Sequence, residues 1–301
     1  MTFYDFGERF EKETQFVIFG IPWDYLTSID LPNSSIGPQE IRSASNKMGL
    51  VTELGTHIPK LKVIDIGNIQ IDELNVSYNL NSICAFIDDI YSQNNKIIPV
   101  MLGGDHFCSF PVIKAIGDHF SQREDFGVLI FDAHLDLYQK WEKSVYSHAT
   151  TSHRIYDLSY IHKNNFLIAG ARDIDIPELE FADLEKITHL DAHLLIEGLD
   201  NYIQKIIDFY KKSSITNLYI SIDIDALDPS NAPGTGYTIP GGFTYRNIWK
   251  ILMEITKNFN VVAFDVVEVA PNLDSKNRRT CNLAAKLIIE FITFISEKIN
   301  K

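Results

Sequence analysis

Ser221-Ile222-Asp223-Ile224-Asp225-Ala226-Leu227-Asp228-Pro229 follows directly on the apolar run Leu218-Tyr219-Ile220. A short apolar run of this kind reads as a buried strand, and this one ends in carboxylates. Alternation along a strand puts Asp223 and Asp225 on one face. Two carboxylates side by side repel each other and destabilise the fold unless something cationic lies between them. Two further clusters follow the same pattern: Asp132-Ala133-His134-Leu135-Asp136 comes after Val128-Leu129-Ile130-Phe131, and Gly103-Gly104-Asp105-His106 after the run from Ile97 to Leu102. Three strand ends thus deliver two histidines and at least five aspartates. A pair of metal ions is the simplest compensating charge.

Short apolar runs recur along the chain. They predict strands at 16–20, 62–66, 97–102, 127–132, 166–170, 187–190, 218–223 and 261–267. Helical patterns fall between them, near 38–48, 80–94, 108–120, 149–157, 198–212, 244–258 and 282–299. Strand–helix alternation implies a parallel sheet covered on both faces. In such sheets ligands sit beyond the carboxyl ends of the strands, which is where the acidic clusters lie. No stretch rich in Pro, Gly or Ser interrupts the 301 residues, so residues 1–301 are expected to form a single catalytic domain.

The formal net charge of −13 argues against nucleic acid and anionic membranes as partners and suits a small cationic substrate. Cys84, Cys108 and Cys281 are odd in number and far apart, which fits free thiols in a reducing cytoplasm. The N-terminus has no basic segment followed by an apolar one, so no signal peptide is expected. The apolar stretch Leu283 to Ile299 carries Lys286, Glu290, Glu297 and Lys298 and reads as an amphipathic helix, not a membrane span.

Taken singly, each cluster has a bland reading. Gly-Gly-Asp-His could be a turn with a helix cap, and Asp223-x-Asp225 a solvated acidic turn. Together, at successive strand ends, they read as a metal site. An oxygen-rich set with two imidazoles suits Mn²⁺ best, with Fe²⁺, Co²⁺ or Zn²⁺ as substitutes. No cysteine belongs to it, which argues against structural zinc. A carboxylate can bridge two such ions, and the pair can hold a hydroxide nucleophile near neutral pH.

In these three motifs, continued through Pro233-Gly234-Thr235-Gly236 to Gly241-Gly242, the chain resembles the ureohydrolases, the family of arginase, agmatinase and their relatives. The resemblance runs from about Val17 to the C-terminal helix. It implies a three-layer α/β/α fold with an eight-stranded parallel sheet, two Mn²⁺ per chain and hydrolysis of a guanidino compound to urea. By the resemblance, His106, Asp132, Asp136 and Asp223 bind one metal. Asp132, His134, Asp223 and Asp225 bind the other, with Asp132 and Asp223 bridging. Glu268, just past the strand 261–267, matches the glutamate that pairs with the guanidinium. His148, in Tyr146-Ser147-His148-Ala149, matches the histidine that shuttles a proton to the leaving amine, with His153 as the alternative. Asp136 could also take the proton of the bridging hydroxide. Asp105 is expected behind the ligands or as a helix cap, and Asp228 as a turn residue. Family members assemble as trimers or hexamers, so a homo-oligomer is expected.

The substrate's tail is read from the loops. Gly20-Ile21-Pro22-Trp23-Asp24 and Tyr146-Ser147-His148 look most like the agmatinase branch, and the Ser-Gly-Asn stretch with which arginases bind a carboxylate is missing. Lys143 is the one basic residue obviously placed in that loop. Agmatine, cleaved to putrescine and urea on the way to polyamines, is the expected substrate. Asp175, in Gly170-Ala171-Arg172-Asp173-Ile174-Asp175, resembles an arginase aspartate that contacts the α-amino group, and could equally receive agmatine's amine. The alternatives are arginase, guanidinobutyrase or another guanidino-acid hydrolase, and formimidoylglutamase. Phe107, Asn68 and the loop Thr235–Pro240, which lacks a glutamate before Gly241-Gly242, depart from the family's usual residues without removing a ligand.

Overall fold

Every expected strand is present in the computed structural model, which describes residues 1–24, 34–72, 75–120 and 124–300. They are β1 (Phe16–Ile21), β2 (Val63–Asn68), β3 (Ile98–Gly103), β4 (Phe126–Phe131), β5 (Phe166–Ala169), β6 (Thr188–Leu190), β7 (Asn217–Asp223) and β8 (Asn260–Val267). They form one eight-stranded sheet in the order β2-β1-β3-β8-β7-β4-β5-β6. Every pairing is parallel.

The helices are α1 (Gly37–Ser45), α2 (Val76–Gln93), α3 (Ser109–Phe120), α4 (Thr151–Tyr156), α5 (Ile176–Glu185), α6 (Leu199–Lys212), α7 (Tyr245–Asn258) and α8 (Arg279–Ile299). They cover both faces of the sheet, because the central strands are apolar on both. Phe16, Ile18, Val100, Leu102, Leu129, Phe131, Ile220 and Ile222 point to one side and pack with Ile251, Leu252, Leu287 and Phe291 of α7 and α8. Val17, Phe19, Met101, Val128, Ile130 and Tyr219 point to the other and pack with Ile83, Ile87, Val112 and Ile116 of α2 and α3. A period of two along each strand therefore builds the two cores of a three-layer fold.

The structure departs from the sequence reading at two places. Helix α5 was not among the helices expected. Its sequence carries a start signal: Asp175 caps it, Glu178 completes a capping box, and Pro177 fits the first turn. Its apolar periodicity is weak, however, because Ile176, Leu179 and Leu184 face outward. In α8, Glu290 does not lie on a solvated face. It is fully buried, paired with Lys286 at 2.6 Å, and accepts the Glu53 backbone N–H at 2.9 Å from a loop laid over the helix. Among the described residues no helix is long and apolar enough to cross a membrane.

Candidate metal centre and active site

The four neighbouring strands β3-β8-β7-β4 carry the chemistry at their carboxyl ends. Phe131 pairs with Ile222, which sets Asp132 beside Asp223. Asp223 pairs with Val267, which sets Glu268 next in line. His106 follows β3 in a single 3₁₀ turn, His106–Cys108, and Asp225 lies in another, Ile224–Ala226, just past β7. His134 and Asp136 sit in the loop after β4. Because β8, the last strand in the chain, is inserted beside β3, residues more than 160 positions apart become neighbours: Glu268 Oε1 accepts the His106 backbone N–H at 2.8 Å.

Ligand atoms converge on two points. His106, Asp132 and Asp136 each offer an atom within 4.8 Å of the others, and so do Asp132, His134 and Asp225. Asp132 belongs to both groups and turns one oxygen to each: Oδ2 lies 2.8 Å from His106 Nδ1 and Oδ1 3.3 Å from His134 Nδ1. Asp136 and Asp223 bring oxygens to 3.1 and 3.3 Å from His106 Nδ1, and Asp225 brings one to 3.1 Å from His134 Nδ1. Backbone N–H groups hold the carboxylates from behind. Asp132 accepts from His134 at 2.7 Å, Asp223 from Asp225 at 2.8 Å, and Asp225 from Ala133 at 3.0 Å.

The donor set fits divalent ions. His106 Nδ1 is buried and makes no hydrogen bond of acceptable geometry, although three carboxylate oxygens surround it. Lone pairs packed this way are satisfied by a cation. The local charges say the same. Burial opposes a charge on His106, yet Asp132, Asp136 and Asp223 push its imidazole well above the usual range. Burial likewise opposes charge on His134, and Asp225 and Asp132 raise it. Burial, then the charge of Asp132, pushes Asp136 up to about 8, and burial with Asp225 and Asp132 raises Asp223 well above the usual carboxylate range. The cluster gathers positive charge by whatever means it can.

Two of its residues hold a costly backbone. Asp136 and Glu268 have φ of 52° and 60°, in the left-handed region that costs a side-chain-bearing residue about 1–2 kcal/mol. Surroundings enforce both. His153 donates its backbone N–H to Asp136 O at 3.1 Å, and Glu268 donates to Gly104 O at 2.8 Å. Gly104 is itself required by packing, since a Cβ there would meet the Trp23 carbonyl oxygen at 2.1 Å. Backbone on both sides cannot yield cheaply. Gly104→Ala is therefore expected to lower stability by about 1–3 kcal/mol. An unchanged denaturation midpoint would mean that the Trp23 segment gives way.

A small inner chamber of about 20 Å³ is lined by His106, His134, Asp136, His148, Asp223, Asp225, Tyr237 and Glu268, among others. It adjoins a mouth of about 370 Å³, which shares His134, Asp136, His148 and Tyr237 with it and is walled by Tyr138, Trp141, Asp173, Asp175 and Glu178. None of the described residues lining the mouth is lysine or arginine. Lys143 is exposed and outside the lining. Glu268 is half-buried in the chamber wall, and burial together with Asp105 pushes its carboxyl up to about 8.

The sequence reading placed His106, Asp132, His134, Asp136, Asp223, Asp225, His148 and Glu268 in one site, and the structure brings all eight to the inner chamber or its wall. His153 lies elsewhere. It is buried, stacks on Phe181 at 4.3 Å, and holds Leu137 O at 2.9 Å through Nδ1. Asp175 lines the mouth but also caps α5 and accepts the Tyr138 hydroxyl. Asp105 is buried at the N-cap position of the His106 turn without a side-chain cap bond. Asp228 accepts the N–H of Ser230 and Gly241, as a turn residue does.

Three contributors escaped the sequence reading. Tyr237 stands between both histidines, its ring 5.5 Å from that of His134 and 6.3 Å from that of His148. Glu178 accepts from Leu137 at 3.0 Å and from Asp175 at 3.3 Å, tying the Asp136 loop to the start of α5. Arg172 donates to the carbonyls of Asp225 at 2.6 Å and Ile239 at 2.8 Å, so it joins the ligand loop to the Tyr237 loop. A Cβ on Gly242 would meet the Ala226 carbonyl oxygen at 2.6 Å as well as this guanidinium at 2.7 Å, and the backbone contact accounts for a glycine there.

Residues 14–293 match the Arginase family. An agmatinase of Bacillus subtilis is 31% identical over 283 residues, covering 93% of this chain and 92% of the relative. A mitochondrial arginase of Oryza sativa is 29% identical over 294 residues, 93% of this chain and 81% of the relative. The crystal structure of agmatine ureohydrolase of Thermoplasma volcanium superposes with a TM-score of 0.86 at 26% identity, over 100% of this chain and 96% of that one. With the His/Asp cluster at the carboxyl ends of a parallel sheet, these likenesses make the chain a member of the arginase family and a hydrolase acting on guanidino groups.

Proposed function

We propose that the protein hydrolyses agmatine to putrescine and urea, as one catalytic domain spanning residues 1–301 that works as a homo-oligomer in the cytoplasm. The observation that carries the substrate is the mouth, which presents Asp173, Asp175 and Glu178 and, among its described lining residues, no cation. A substrate tail ending in ammonium is stabilised there. A tail ending in carboxylate meets like charge, with no cation among the described lining residues to offset it.

In this reading His106, Asp132, Asp136 and Asp223 would hold one Mn²⁺, and Asp132, His134, Asp223 and Asp225 would hold the other. When bound, two such ions supply charge neutralisation and an activated water nucleophile. The rest is done by the chain. Glu268 receives the guanidinium in a fork of charge-assisted hydrogen bonds and turns its carbon toward the aspartates. Asp136 takes up the proton released on attack. His148, at the junction of chamber and mouth, delivers a proton to the departing amine. Tyr237 covers His134 and His148 and keeps water from the reacting carbon. Asp175, held by Tyr138, meets the far ammonium.

The test is urea release by the Mn²⁺-loaded protein from agmatine, L-arginine, 4-guanidinobutyrate and 3-guanidinopropionate, with formamide release scored for formiminoglutamate. Agmatine is expected to lead by more than about tenfold in kcat/KM, since an unmet carboxylate costs well over 1.4 kcal/mol. A preference for arginine would show that a cation outside the mouth reaches the carboxylate, and would overturn the reading of the tail.

A further inference from the structure

One face of the two central strands carries a column of buried polar groups inside an otherwise apolar layer. Tyr219, Ser221 and Asp223 alternate along β7, and Ser221 is the register partner of Asp265 on β8. Tyr219, Ser221 and Asp265 are fully buried. Their surroundings are Met101, Ile130, Ala263 and Val267. Burying a carboxylate among such neighbours is unfavourable unless each hydrogen bond is made. Here they are: Asp265 accepts the Tyr219 hydroxyl at 2.6 Å, the Ser221 hydroxyl at 2.7 Å and the Ile222 backbone N–H at 3.4 Å. The Ser109 hydroxyl faces the carboxylate as well.

That inventory sets the direction of the next bond. Ser221 Oγ has one proton, and Asp265 takes it. Its remaining lone pairs face Ser109 Oγ at 3.3 Å and His106 Nε2 at 3.1 Å. Against His106, Ser221 can therefore only accept, which places the ring proton on Nε2. With Nε2 keeping its proton, Nδ1 is the nitrogen left to give up a proton and offer its lone pair when a metal ion binds, and it is the atom surrounded by Asp132, Asp136 and Asp223.

We propose that Asp265 is a positioning residue: acting through Ser221, it fixes the His106 ring as the Nε2–H form so that Nδ1 is presented as a metal ligand. This rests on the metal reading of the cluster. It adds that the two metal positions have unequal support, because this relay ends on His106 and not on His134. An apolar residue at position 265 would pack in this layer at less cost, so the polar column is explained by what it does at its upper end.

Two measurements test the relay. In ¹⁵N-histidine-labelled protein loaded with Zn²⁺, the His106 signal, identified by its loss in His106→Gln, is expected to show a protonated Nε2 and a metal-bound Nδ1. A metal-bound Nε2 would overturn the proposal without any variant having to fold. Mn²⁺ titration of metal-stripped Asp265→Asn and Ser221→Ala should then weaken one of two binding steps by about tenfold to a hundredfold and leave the other unchanged. Ser221→Thr, which keeps the hydroxyl, should restore the weakened step. Equal loss at both steps, or loss at neither, would reduce Asp265 to a packing residue. If the unaltered protein takes up no divalent ion, the metal reading itself fails. If it takes up two and the variants match it, only the relay does.

Discussion

Asp132→Asn is expected to empty both metal positions at once and to reduce urea release by more than a hundredfold, the upper end of what a residue one step removed from a metal produces. The reason is that Asp132 serves two masters with two oxygens, one 2.8 Å from His106 Nδ1 and one 3.3 Å from His134 Nδ1. An amide keeps one oxygen and turns N–H donors where the other was. Either orientation sets a donor against a place where ligand lone pairs converge. Asp136 and Asp225 each belong to only one of the two groups. Asp136→Asn and Asp225→Asn should therefore each cost one metal more than the other, and metal analysis of all three variants separates a shared ligand from two unshared ones. Near-normal metal content and turnover in Asp132→Asn would end the view that the two groups form one centre.

The ligands were legible in the sequence because each is local to a strand end. An apolar run followed within five residues by Asp or His places the side chain at the carboxyl edge whatever the strand order is. Order was the part that local reading could not supply. Nothing near Glu268 states that β8 inserts between β3 and β7, yet that insertion brings its carboxylate to the His106 backbone. The resemblance to known enzymes supplied Glu268 and His148, not their spacing. Helix α5 was missed because its apolar residues face outward, although the capping pattern Asp175-Ile176-Pro177-Glu178 was there to be read. The cost of that miss was functional, since Asp175 and Glu178 shape the mouth. Arg172 and Tyr237 were out of reach for a different reason. Their roles consist of contacts across loops, and no periodicity or spacing encodes a guanidinium donating to the carbonyls of Asp225 and Ile239. The polar alternation Tyr219-x-Ser221-x-Asp223 was visible, but only the pairing of Ser221 with Asp265 gives it meaning.

Glu268→Gln should leave both metals in place and still remove most of the activity. The substitution preserves shape, and the remaining carbonyl oxygen can go on accepting the His106 N–H that Glu268 Oε1 accepts at 2.8 Å. What it removes is charge. Burial and the neighbouring Asp105 already push the Glu268 carboxyl up to about 8, so this is a carboxylate that is stabilised by a cation and destabilised without one. A guanidinium arriving in the chamber is such a cation, and breaking a buried charge pair by neutralising one partner costs about 3–5 kcal/mol. At 1.36 kcal/mol per tenfold, that is a loss of roughly two to four orders of magnitude in kcat/KM. The three possible results lead to different conclusions. Full metal content with lost turnover places Glu268 against the substrate. Metal lost together with turnover makes it a support for the His106 turn, acting through the backbone bond it accepts. Turnover close to that of the unaltered protein removes it from the site, and the guanidinium must then be held by the aspartates alone.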